Sequence, residues 1–281
     1  MRGKRLGLVM VLLAFVVLTQ AKVIRVLAIG NSFSEDAVEQ NLYELAAAQG
    51  DSLVIGNAYI GGCSIDRHYT NLKGDSALYR YRKIVGGSTF ERRKVTLRSI
   101  IQDEQWDIIS LQQASHYSGI PTTFANLAQL KRLVQSYTTN LHVQFVWHMT
   151  WSYAEDFTSD NFKAYDYDQR KMYSAIVTTL QNVLPAVGIN RIIPSGTAIQ
   201  LARYRFGDVL NRDGYHLSHT LGRYTAACTW CEVLTGQIVD GNRYHPESIT
   251  DEEAQLCQQA AHEAVFMLQQ GVENLHMLFL P

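Results

Sequence analysis

Five stretches of the chain are apolar almost without interruption: Val23–Ile29, Leu53–Ala58, Ile108–Leu111, Val143–Trp147 and Arg191–Ile193. A strand with one wet face alternates polar and apolar residues. A continuous apolar run suits a strand buried on both faces of a parallel sheet. Between these runs the period changes to that of a helix. Ala37–Gln49 places Val38, Leu42, Leu45 and Ala46 on one stripe, and Phe124–Tyr137 does the same with Leu127, Leu130 and Val134. Tyr165–Leu184, Leu221–Leu234 and Glu252–Gln270 are long and amphipathic. Strands alternating with helices imply right-handed βαβ crossovers. The pattern predicts an α/β fold, a three-layer α/β/α sandwich around a parallel sheet of about five strands.

No repeat or low-complexity linker divides the chain, and Gly86-Gly87-Ser88 reads as a loop tip. Residues 22–281 are therefore expected to form a single domain. The first 21 residues read differently. Arg2, Lys4 and Arg5 precede an apolar run from Leu8 to Leu18, and Thr19-Gln20-Ala21 resembles a small-x-small cleavage site. The run is short for a membrane span. The expectation is a signal peptide over 1–21, no integral span after its removal, and a periplasmic or extracellular chain.

Charge narrows the partners. Lys and Arg total 25 against 26 Asp and Glu, a net charge of -1, which gives no electrostatic reason to expect nucleic acid. An exported chain meets oxidising conditions. A bridge from Cys257 to Cys228 or Cys231 therefore stands beside the plainer reading of small buried hydrophobes on packed helices. Cys228-x-x-Cys231 has no second pair, so no zinc site is expected. With no phosphate loop or nucleotide fingerprint, no cofactor is expected either.

The chemistry concentrates at three places. After the first apolar run the chain turns through Gly30-Asn31-Ser32 into a helical pattern. In open α/β sheets ligands bind beyond the carboxyl ends of the strands. A serine there either caps the helix or acts as a nucleophile. A nucleophile needs a base, and Asp213-Gly-Tyr-His216 offers a carboxylate and an imidazole three residues apart in a turn.

Gly30-Asn31-Ser32, a glycine block after the second strand and Asp213-x-x-His216 together resemble the SGNH hydrolase (GDSL-type esterase) superfamily. With Gly-Asn-Ser-Phe-Ser, Trp106-Asp-Ile-Ile-Ser-Leu-Gln-Gln113 and Trp147-x-x-Thr-Trp151, the resemblance narrows to a secreted, mainly Bacteroidetes, DUF4886-like branch. It implies an SGNH or flavodoxin-like fold and a serine esterase. Ser32 would be the nucleophile, His216 the base and Asp213 the group that orients it. The N–H groups of Ser32 and Gly62 would hold the oxyanion. Two departures stand out. Asn31 replaces the usual Asp, and the Gly-x-Asn-Asp block is replaced by Ser110-Leu-Gln-Gln-Ala-Ser115. Gln113, or failing it Gln112, is the expected third donor. Trp147, His148 and Trp151 are expected to line the substrate site, with core packing as the alternative. The implied substrate is an acylated glycan or polysaccharide losing O-acetyl or similar short groups. A binding protein without hydrolysis and a glycan acyltransferase are the rivals.

Overall fold

The computed structural model describes residues 22–271 and 275, so the expected signal segment lies outside the described residues. Its centre is a seven-stranded sheet in the order β4-β3-β2-β1-β5-β6-β7. Five strands are parallel and coincide with the predicted runs to within one residue at each end. They are β1 (Val23–Gly30), β2 (Ser52–Tyr59), β5 (Ile108–Leu111), β6 (Gln144–His148) and β7 (Arg191–Ile193). The correction is at one edge, where β3 (Tyr79–Val85) and β4 (Ser88–Val95) add an antiparallel hairpin. The sheet is thus mixed and larger than expected. The hairpin turns on Gly86-Gly87, with φ of 56° and 77°, between the paired Val85 and Ser88. A two-residue turn with both φ positive matches the twist of its strands, and glycine adopts it without strain.

Helices flank the sheet. One group comprises α1 (Ser32–Val38), α2 (Leu42–Ala48), α7 (Ser195–Phe206), α8 (Leu221–Thr235) and α9 (Asp251–Gln269), with α8 at its centre. The other comprises α3 (Ile65–Lys73), α4 (Leu97–Ile101), α5 (Leu127–Tyr137) and α6 (Gln169–Val183). The predicted helix over 37–49 is broken. Asn41 has φ 64° between α1 and α2, while the apolar stripe runs on through Val38, Leu42 and Leu45. The predicted start at Tyr165 is also displaced. Asp166 and Tyr167 both have positive φ, and Asp168 caps α6 by accepting the Lys171 N–H at 2.9 Å.

All four cysteines are free and buried, so the Cys257 bridge is not formed. Burial pushes the thiols of Cys63 and Cys231 up to about 12 and that of Cys257 up to about 11. They pack as apolar groups. No described helix is long and apolar enough to cross a membrane.

In register across the parallel strands lie Ala58, Ile29, Leu111, Trp147 and Ile192. The parallel order β2-β1-β5-β6-β7 reverses direction at β1 and β5, the switch point where doubly wound sheets open a crevice. From this row the chain continues into the serine corner after β1, the glycine loop after β2 and the segments after β5 and β6, while the histidine loop follows α7.

Candidate active site

Past Ile29 the chain leaves β1 through Gly30 and Asn31. The Asn31 side chain spans the turn. Its Oδ1 accepts from the Phe33 N–H at 3.0 Å, capping α1, and from Gln112 Nε2 at 2.8 Å. Its Nδ2 donates to the Cys63 carbonyl at 3.1 Å, binding the serine corner to the Gly61-Gly62 loop after β2. Only an amide both donates and accepts in this way, which gives Asn31 a structural task that the usual aspartate does not perform. Ser32 opens α1, half-buried. Among the described residues neither the Ser32 N–H nor the Gly62 N–H is taken by another protein group.

The third segment returns from the C-terminal half. Residues 211–217 form a small loop closed by the Asn211–Leu217 bridge and by Arg212 N–H donating to the His216 carbonyl at 2.9 Å. Gly214 turns it with φ +87°, and the Phe157 ring occupies the space a Cβ there would need, 2.2 Å from its nearest atom. The turn brings Asp213 Oδ2 to 2.7 Å from His216 Nδ1, while Oδ1 accepts the backbone N–H groups of His216 at 2.8 Å and Tyr215 at 3.3 Å. Burial alone would raise the Asp213 pKa. The His216 ring and backbone bonds outweigh it and hold the carboxyl below its ordinary value. A carboxylate only accepts, so Nδ1 carries a hydrogen, and in the neutral form of the ring the lone pair is at Nε2.

Ser32, Gly61, Gly62 and His216 line one cleft of about 320 Å³, together with Asn31, Phe33, Tyr59, Ser115, His116, Tyr153, Asn161 and Tyr215. No hydrogen bond joins Ser32 Oγ to the His216 ring in this structure. Such contacts often tighten only when substrate arrives. A larger depression of about 750 Å³, lined by Glu155, Asp166 and Asp208 among others, lies apart from these groups.

Two devices hold the histidine loop to the serine helix. Asp36, one turn after Ser32, is buried and accepts from Arg212 Nη1 at 3.1 and 3.2 Å, from the Leu217 N–H at 2.8 Å and from Arg223 Nη2 at 2.6 Å. Phe33, beside Ser32, stacks on Trp151 at 4.2 Å, and the Trp151 indole N–H donates to the Tyr215 carbonyl at 2.7 Å. At the other wall, the Arg80 guanidinium from β3 lies 4.2 Å over the Tyr59 ring and pairs with Glu35 and Glu39.

Several expected site residues are placed elsewhere. Gln113 is fully buried. Its Nε2 donates to the Thr123 carbonyl at 2.9 Å and its Oε1 accepts the Ile65 and Ala114 N–H groups. Every strong valence of the amide is spent on loop structure, so it is not the third oxyanion donor. Gln112 is no substitute, because its amide is held between Asn31 and His148 Nδ1 at 2.9 Å. Trp147, His148 and Trp151 are core residues, buried at 2%, 0% and 0% exposure, and none lines the cleft. Trp147 packs on Phe124, and burial pushes the His148 imidazole down to about 3. The cleft's aromatic wall is instead Phe33, Tyr59, Tyr153 and Tyr215. Each carries a signal in the sequence: Tyr59 and Tyr215 flank the glycine block and His216, Phe33 follows Ser32, and Tyr153 ends the aromatic run that starts at Trp147. His116, half-buried with its pKa lowered by burial, had none. Among the described residues no group of three or more His, Cys, Asp and Glu is arranged to hold a metal ion.

A cleft at the switch point, with a serine corner after β1 and a histidine loop beside it, defines an α/β sandwich protein whose candidate site lies at the carboxyl edge of the sheet. The chain belongs to the DUF4886 family, described as a domain of unknown function, whose family model matches residues 25–264. It is similar to a solved DUF4886 family protein from Bacteroides uniformis, at 47% identity and a TM-score of 0.85, over 87% of this chain and 95% of that one. Fainter likenesses are to TesA, at 12% identity and a TM-score of 0.49 over 75% of this chain and 98% of that one. A GDSL-like lipase from Bacteroides thetaiotaomicron gives 12% and 0.44 over 77% and 88%. At that distance neither bears on chemistry. Comparison with curated proteins gives no match.

Proposed function

We propose that this chain is an exported serine esterase that removes short acyl groups, O-acetyl foremost, from a glycan or polysaccharide. The observation that carries the reading is that the Asp213-oriented His216 shares one cleft with Ser32 and the unengaged N–H groups of Ser32 and Gly62. Ser32 Oγ attacks the ester carbonyl, and His216 Nε2 takes the hydroxyl proton. The Asp213 carboxylate, bonded to Nδ1, stabilises the imidazolium that results. The carbonyl oxygen becomes an oxyanion facing the Ser32 and Gly62 N–H groups. Collapse expels the alcohol, which takes the proton from His216. Water, activated by the same imidazole, then cleaves the acyl-serine and regenerates Ser32. A cleft of about 320 Å³ is at the small end for ligand sites and favours a short acyl group over a lipid chain.

A fluorophosphonate probe with peptide mapping tests this without presupposing a substrate. Ser32 is the expected labelled residue. Hydrolysis of p-nitrophenyl acetate is expected to disappear in Ser32→Ala and His216→Ala. Undiminished turnover in both variants rejects the proposal. The commitment of Gln113 elsewhere favours one rival, glycan binding without turnover. That rival predicts an unlabelled Ser32 and glycan binding that survives Ser32→Ala.

A further inference from the structure

With both glutamines committed, no amide side chain from the segment after β5 faces the cleft. Two hydroxyls there have no assigned task. Ser115, in the turn after β5, and Tyr153, in the segment after β6, both line the cleft, and their oxygens are 2.8 Å apart. Both residues are buried. The pair holds two hydroxyl hydrogens. One lies between the oxygens, and the other has no protein acceptor among the described residues. In the order β2-β1-β5-β6, the pair comes on the side of Ser32 away from the Gly62 loop.

A phenol is the stronger donor and an aliphatic hydroxyl the stronger acceptor, so Tyr153 donates to Ser115 Oγ. Burial pushes the Tyr153 phenol above its ordinary value, so it keeps its proton through the neutral range. The Ser115 O–H is left to donate outward, and accepting from Tyr153 strengthens that donation. Tyr153 is itself fixed edge-on against Phe157, Phe162 and Tyr215, the last beside His216. Peripheral contacts thus pre-set the direction of the pair.

Building on the esterase reading, we propose that Ser115 is the third oxyanion donor of this site, with Tyr153 as its positioning residue. The tetrahedral oxygen then meets N–H groups after β1 and β2 and an O–H after β5. No covalent step is added, because Ser115 donates a hydrogen bond and keeps its proton.

The test compares full-length Ser115→Ala, Ser115→Thr and Tyr153→Phe by kcat and KM on p-nitrophenyl acetate and by the rate of fluorophosphonate labelling at Ser32. Losing one oxyanion donor typically lowers kcat by roughly 100- to 1,000-fold. Ser115→Ala is expected to show such a fall with KM nearly unchanged and labelling slowed in parallel. Ser115→Thr retains the hydroxyl and most of the rate. Tyr153→Phe is expected to lose about tenfold, and the double variant to be no slower than Ser115→Ala, as for groups acting in series. A Ser115→Ala kcat within about twofold of wild type, with Ser32 still labelled, overturns the donor role and leaves the esterase standing. If Ser115→Ala fails to fold, Tyr153→Phe and Ser115→Thr decide: full activity in Tyr153→Phe, or loss of the Ser115→Thr rate with folding intact, overturns it. A wild-type chain with no labelled serine and no turnover overturns both readings together.

Discussion

Replacing Asp36 with alanine should both loosen the fold and disable the cleft. The carboxylate is 1% exposed and receives two arginines and one backbone N–H. Arg212 is partly exposed and can turn to water. Arg223, with 8% of its side chain exposed, cannot, and the Leu217 N–H is buried. Breaking a buried ion pair by removing one partner costs about 3–5 kcal/mol, because the other charge is left unpaired. The stranded Leu217 N–H belongs to the same rearrangement, so it is not added in full. The expected loss is about 4 kcal/mol. At roughly 2–4 °C per kcal/mol for a chain of this size, Tm should fall by about 8–16 °C. Leu217 follows His216 directly, so loss of its anchor frees the loop that aims the imidazole. Esterase kcat should fall at temperatures where the variant is still folded. Asp36→Asn keeps an acceptor of the same shape and should lie between. Thermal melts with parallel rate measurements at low temperature check this. A Tm within about 3 °C of wild type, with kcat unchanged, would refute the claim that Asp36 holds the loop to the serine helix.

Two further outcomes follow from the same geometry. Asn31→Asp restores the residue usual before the nucleophile in the resembled superfamily, yet it should lower activity here. It removes the donor to the Cys63 carbonyl at 3.1 Å and sets a carboxylate against that oxygen, displacing the Gly62 loop. Comparable kcat in wild type and variant would contradict the strap. The second outcome concerns acid. Burial pushes His148 and His68 down to about 3, with Arg67 adding to the effect at His68. In the unfolded chain both titrate near 6.5, so the unfolded state binds protons first. Their contribution to stability is complete above about pH 6.5 and is lost as pH falls toward about 3. At about pH 5 each costs on the order of 2 kcal/mol, so urea midpoints should drop clearly between about pH 7 and pH 5. The Asp213 carboxyl itself changes only below the ordinary carboxylate range and so does not contribute in this window. Equal midpoints at the two pH values would show that these imidazoles are not held neutral.

The parallel strands were legible because burial on both faces leaves an unbroken apolar run. The β3–β4 hairpin was not, because only Tyr79, Tyr81 and Ile84 of its residues are buried and β4 is almost wholly wet. Helix α7 hid for the opposite reason. Buried on nearly every side, polar Gln200 and Arg203 included, it shows no stripe. In the site, the serine corner, the glycine block and the Asp-Gly-Tyr-His turn are local motifs and could be read directly. Which of two adjacent glutamines faces a cleft depends on distant partners, here Thr123, Asn31 and His148. The answer, that neither does, could come only from those contacts. Asp36 likewise reads as a helix-start acid, and its arginines lie 176 and 187 residues downstream, at 212 and 223.

The hairpin is more than an addition to the sheet's rim. Its tip can lengthen or shorten without disturbing the cleft wall, since the turn lies seven residues from the Tyr79 end of β3. A slip of one residue along the β2–β3 ladder is another matter. It would exchange the sides on which Arg80 and Tyr81 project, carrying the guanidinium away from Tyr59 and a buried phenol into water. The hairpin can therefore change in length but not in phase without altering the wall that Tyr59 and Arg80 build beside the cleft.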